Sequence, residues 1–163
     1  MSTNHAHYLI EEYAFHNWLV HHILEGIDHE ESLLQLPFEA NSANWILGHI
    51  VTNRSHVLEV LGVTHLWQDE VRELYHTGSH NIGPGDRSIR LETLLKYLDG
   101  STRMIRKALE AVSAEWLEEN FSNYRGEKTR EAHLSGFHWH EGFHIGQLEM
   151  LKDFILTTRK ELV

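Results

Sequence analysis

His140-Glu141-Gly142-Phe143-His144 sets two imidazoles four residues apart inside a strongly periodic segment. On an α-helix, positions i and i+4 stack on one face, close enough for both rings to reach a single metal ion. Phe137, His140, His144, Leu148 and Leu151 follow helical spacing, which predicts a helix with this face toward a core. Histidines in an apolar seam need hydrogen-bond partners or a metal to offset their lost hydration. The stretch therefore reads as a core helix carrying half of a metal site.

Three further segments share its periodicity. Residues 5–28 place Leu9, Tyr13, Val20, Ile23 and Ile27 on one stripe, with His16 in the remaining position and an expected end near Gly26 or Asp28. Residues 43–61 are apolar on most sides, start after a candidate cap at Asn41 or Ser42, and close at Gly62. Leu91, Leu95, Leu98, Thr102, Ile105, Leu109 and Val112 form a third seam, and the segment carrying the histidine pair begins near Thr129. Between the second and third helices lie about 28 residues rich in Gly and His, with a short extra helix expected over Trp67 to Tyr75. Antiparallel neighbours need only a short loop, so this long connection predicts that helices two and three run parallel, with the first and fourth antiparallel to them. No alternating run long enough for a sheet stands out. The expectation is one all-α domain over residues 1–163, a four-helix bundle with a long crossover between helices 2 and 3.

Composition narrows the partners. With 14 basic residues and a net charge of −10, the chain lacks the Lys/Arg-rich face that a nucleic-acid backbone requires. There are no cysteines, which removes disulfides, Cys-type zinc fingers and iron–sulfur chemistry. No apolar stretch approaches the ~20 residues that span a bilayer. Met1-Ser2-Thr3-Asn4-His5 lacks a basic region followed by an apolar run, so a cytoplasmic protein without membrane or nucleic-acid partners is expected. Fifteen histidines is the outlying count. Of these, His21, His22, His29, His65, His76, His80 and His138 are expected in solvent. His133 and His56, each seven residues from a ligand candidate, line a pocket or serve the helix locally. Trp18, Trp45 and Trp139 are expected in the core.

His49 is the candidate third ligand, since it shares a face of the second helix with Trp45 and Asn53, and sites in bundles are built from inward side chains on facing helices. Taken alone, His49 is more readily a hydrogen-bonded core histidine. With His140 and His144 it gives three nitrogen ligands and open positions for water, the pattern of catalytic rather than structural zinc sites.

The chain also resembles the DinB-like family of metalloenzymes. Asn44-Trp45-Ile46-Leu47-Gly48-His49-Ile50 is similar to that family's helix-two signature, and His140 through Leu148 resembles its His-x-x-x-His-x-Gly-Gln element. The likeness implies an up-down-down-up bundle, often a homodimer, with a divalent metal on His49, His140 and His144. Its relatives include thiol-dependent transferases and isomerases.

Two rival motifs are weaker. His-Glu-x-x-His also marks zinc proteases, but the Gly-x-x-His continuation is replaced by Gln147-Leu148-Glu149-Met150-Leu151. Glu141 lies about 100° around the helix from His140, as a flanking charge or a base for bound water. A di-iron carboxylate site needs two Glu-x-x-His units. Glu141-x-x-His144 and Glu73-Leu74-Tyr75-His76 match, but the second falls in the crossover. The function expected is a metal-dependent enzyme, a hydrolase or a low-molecular-weight-thiol transferase, acting on a small molecule with zinc, nickel or iron. The thiol would come from a cosubstrate. The alternative is a non-catalytic, dimerising metal-binding protein of stress response.

Overall fold

Helix α1 (Thr3–Ile23) buries Leu9, Tyr13, His16, Val20 and Ile23, the stripe its sequence spacing predicts. The computed structural model describes residues 3–65, 67 and 69–161. Met1 and Ser2, part of the stretch inspected for a leader, and Gln68, inside the expected crossover helix, lie outside the described residues, as do residues 66, 162 and 163. After α1 the chain turns at Gly26, whose φ of 74° is the left-handed region that favours glycine. A single turn, α2 (His29–Ser32), follows. Asp28 caps it by accepting from Glu31 N–H at 2.8 Å, and the Glu31 carboxylate accepts from Asp28 N–H at 3.0 Å.

Helix α3 (Ala43–Val60) begins at Ser42, whose Oγ accepts from Trp45 N–H and donates to the Ile82 carbonyl. It is buried without interruption from Ala43 to Arg54, because the crossover helix α4 (Asp69–Tyr75), α5 (Leu91–Ala111) and α7 (Arg130–Glu161) all pack on it. Helix α5 (Leu91–Ala111) has the clearest two-faced character. Its first N–H groups include Leu91 N–H, which donates to Nδ1 of His29 at 3.2 Å. A short helix, α6 (Ala114–Glu118), leads into the antiparallel pair β1 (Asn120–Asn123) and β2 (Gly126–Thr129) and then into α7 (Arg130–Glu161). The long helix α7 packs on both α1 and α3, and α5 does the same from the other side.

The molecule is mostly helical, as expected, with four long helices near their predicted bounds. The hairpin is a departure. β1 alternates exposed and half-buried residues over only four positions and β2 is exposed except at Thr129, too little for a period-2 signal to rise above a polar loop. His133 of α7 is buried and accounts for its placement: Nε2 donates to the Phe121 carbonyl at 2.9 Å. No described helix is long and apolar enough to cross a membrane.

One polar cluster joins all four long helices. Arg54, fully buried on α3, gives Nε to Glu141 Oε2 at 2.9 Å and Nη2 to Glu141 Oε1 at 2.7 Å, on α7. Its Nη1 donates to Ser101 Oγ and Thr102 Oγ1 on α5, at 3.0 and 2.6 Å. His16 on α1 meets Glu141 Oε1 through Nδ1 at 3.2 Å. A charge placed in the core is tolerated when it is paired and its remaining donors are filled, and both conditions hold here.

Candidate metal centre

His49 on α3 faces His140 and His144 on α7. His140 Nε2 lies 3.3 Å from His49 Nε2 and 3.1 Å from His144 Nε2, and the three ligand atoms fall within 4.8 Å of one another. Two of the rings have their tautomers set from behind. His49 Nδ1 donates to the Tyr75 carbonyl at 2.8 Å, and His144 Nδ1 donates to Gln147 Oε1 at 2.7 Å. Each Nε2 therefore presents a lone pair to the shared centre. Hydrogen bonds from His140 and Asn53 can fill these lone pairs, and a cation would take all three ring nitrogens at once. The donor set fits a divalent transition ion.

Burial keeps the rings in the neutral form that ligation requires. Desolvation pushes His49 down to about 4, with the Tyr75 hydrogen bond opposing and the neighbouring histidines adding to the shift. His140 and His144 are also lowered, first by desolvation. Asn53 Nδ2 donates to His49 Nε2 at 2.8 Å, so an ion in the centre takes the place of that bond.

The signature around His49 has a physical reading. Tyr75 OH donates to Asn44 Oδ1 and accepts from Ile89 N–H, both at 2.8 Å, which pins the ring across α3. A Cβ at Gly48 would collide with that ring, so glycine permits the close approach that delivers the Tyr75 carbonyl to His49. Trp45 stacks on His49 with centroids 4.9 Å apart and planes 12° from parallel, and its Nε1 donates to Ser79 Oγ.

Other expectations need correction. Glu141 does not flank the centre as a free base; it is buried, and both oxygens serve Arg54, with His16 on one of them. Although desolvation raises it, the charge of Arg54 and the bonds from His16 and Arg54 bring it down to about 2. Glu141 is the one buried carboxylate among the described residues, and Glu73 and His76 are exposed, so no di-iron carboxylate set is assembled. His29 is buried and His138 is half-buried, while Trp18 and Trp139 are exposed. These four sit on helix flanks where spacing alone does not separate core from rim. Glu12, His16 and His138 form a second group within 4.8 Å. Its two rings stack parallel at 4.4 Å rather than converge, and His16 is already committed to Glu141.

A cavity of about 220 Å³ lies against His49 and is also lined by His56, Arg72, His76 and Tyr124. Of the three imidazole residues, His49 is the one that lines it. Sequence reasoning named all three imidazoles that the structure brings together. It missed the Tyr75 carbonyl and the part played by Gln147, of which only Gln147 had a signal, in the turn after His144.

Fold and site define a helical protein with a three-imidazole centre between two helices. A sequence profile of the DinB superfamily matches residues 16–148, and the chain belongs to that superfamily. Among solved structures, a conserved protein from Enterococcus faecalis is similar in fold, with a TM-score of 0.71 and 14% identity over 93% of this chain and 96% of that one. No curated protein matches.

Proposed function

We propose that the protein is a divalent-metal-dependent enzyme built on an up-down-down-up four-helix bundle, with His49, His140 and His144 as the ligands. The order of helices is supported by partners that climb together on α1 and α7 (His5 with Glu131, Glu12 with His138) and run oppositely on α1 and α5 (Glu11 with Arg106, His21 with Asp99). The observation that carries the metal reading is the convergence of three imidazole nitrogens, two of them with tautomers fixed by acceptors behind. Imidazole ligation suits zinc or nickel, and iron next, over magnesium or calcium.

A bound ion of this kind supplies a water or thiol made acidic near neutral pH. The chain's own residues do the rest. Tyr75 and Gln147 hold the ligand rings in place, and Trp45 covers one face of His49. His56 lines the cavity beside His49 and is kept neutral chiefly by desolvation, so it is placed to take a proton from a group bound there. Hydrolysis and transfer of a low-molecular-weight thiol both fit this arrangement. The absence of cysteine from the chain assigns any thiol to a cosubstrate.

We also read the protein as a homodimer. Stacked aromatic pairs, Phe15 with Trp18 and Trp139 with Phe143, stand exposed on the neighbouring helices α1 and α7. Burying such side chains contributes about 1.5–3 kcal/mol each.

The test is elemental analysis of protein purified without chelator or metal-affinity resin, followed by activity screening of the loaded protein with and without thiols. About one ion per chain is expected. No metal in fresh protein and no uptake from added zinc or nickel would remove the reading.

A further inference from the structure

We propose that the cavity against the metal centre binds the carboxylate of a small acidic substrate, with Arg72 as its anchor. This rests on the metal-centre reading above and names the substrate class for that site.

The chain carries a net charge of −10, and four of its outer arginines rest on glutamates: Arg87 on Glu70, Arg90 on Glu30 and Glu92, Arg106 on Glu11, Arg159 on Glu31. Arg72 makes no such pair among the described residues; the bonds it has are to its backbone carbonyl, one of them from the His76 ring. Arg72 lines the 220 Å³ cavity together with His49, His56, His76 and Tyr124, and no carboxylate lines that space.

Arg125, one residue beyond Tyr124 in the hairpin turn, is also without a glutamate or aspartate partner among the described residues. It lies over the Phe137 ring at 4.7 Å. The space beside His49 is thus lined by no carboxylate and carries Arg72, which has no acidic partner among the described residues, while Glu59 reaches only His56, at 3.4 Å. A guanidinium fork matches the planar, two-oxygen geometry of a carboxylate.

Size sets the rest. A neighbouring cavity of about 560 Å³ shares His56, Arg72 and Tyr124 and is also lined by Asp69 and by Glu59, whose carboxylate lies 3.4 Å from His56 Nδ1. A carboxylate held at Arg72 therefore leaves the body of the substrate two directions, inward to the ligands and outward into this second cavity.

The experiment is calorimetric titration of the full zinc-loaded chain with succinate, its neutral isostere succinamide, and inorganic phosphate, with metal content measured in every sample. Succinate is expected to bind at least about tenfold more tightly than succinamide, the range of a charge-assisted pair. Arg72→Gln should lose about tenfold or more for succinate while keeping its metal and helical content, and Arg87→Gln should behave as wild type. Equal binding of diacid and diamide, binding of neither, or an Arg72→Gln protein that binds succinate like wild type would overturn the assignment. Phosphate binding more tightly than succinate through Arg72 would overturn the carboxylate in favour of a phosphate-bearing substrate. A chain that takes up no zinc yet binds succinate through Arg72 would end the metal reading alone.

Discussion

Gly48→Ala is the substitution that most directly tests how the centre is held together. In an exposed helix interior this change stabilises by about 1 kcal/mol. Here the new methyl group meets the base and near edge of the Tyr75 ring rather than a flexible tip. The ring cannot swing aside freely, because its hydroxyl is held by Asn44 and Ile89. Overpacking of this kind costs about 1–3 kcal/mol, and freeing the ring would instead give up two hydrogen bonds worth about 0.5–1.5 kcal/mol each. Set against the helix gain, the net expectation is destabilisation by up to about 2 kcal/mol, a fall in Tm of up to about 8 °C for a chain of this size. Gly100→Ala on α5, with nothing near its Cβ position, is the control and should hold or raise Tm. Displacing Tyr75 also takes the carbonyl from His49, which should weaken metal binding by about 10–100-fold. Thermal unfolding by circular dichroism and competition with a chromogenic chelator read the two effects. A Gly48→Ala protein with wild-type Tm and wild-type affinity would refute the close-approach account of the signature.

Other perturbations separate the ligands from their surroundings. His49→Ala and His144→Ala should each weaken metal binding by about 100-fold or more, beyond the loss of an orienting partner, with helical content near wild type. His56→Ala and His138→Ala should keep stoichiometric metal, and metal retained by His49→Ala would break the three-histidine site. Arg54→Met leaves Glu141 buried without its countercharge and should cost about 3–5 kcal/mol, whereas Arg54→Met with Glu141→Leu should recover most of that; equal losses in the two proteins would argue against the ion pair. Glu141 is held at about 2 against 4.5, so on acidification the unfolded chain takes up this proton first. Its contribution is complete above about pH 4.5 and drains away toward pH 2. In metal-free protein His49, lowered from 6.5 to about 4, gives the same sign in a higher window, with stability falling as pH drops through that interval. Denaturant titrations at stepped pH measure both slopes, and a flat profile from pH 6.5 to 4 would contradict the buried neutral imidazole.

How much of this was legible in the sequence depends on the range of the interaction. The helical seams and the i, i+4 histidines are local, and periodicity alone placed them. His49 lies about 90 residues from its partners, so it needed the further premise that helices meet along their inward faces. Arg54 gave no warning, since a lone arginine in an apolar helix looks like an exposed charge until its partner on α7 is known. Glu141 misled for the same reason: its neighbours in sequence are ligands, while its neighbours in space are Arg54 and His16. The hairpin fell below the length at which alternation can be read.

The carbonyl that aims His49 belongs to the backbone of Tyr75. Side-chain exchange cannot remove a carbonyl, so this part of the centre resists most point substitutions directly. It responds instead to the path of the chain. Lengthening or shortening the crossover between α3 and α5 would rotate the imidazole without altering any ligand. The length and path of that segment thereby govern how firmly the His49 ring is aimed at His140 and His144.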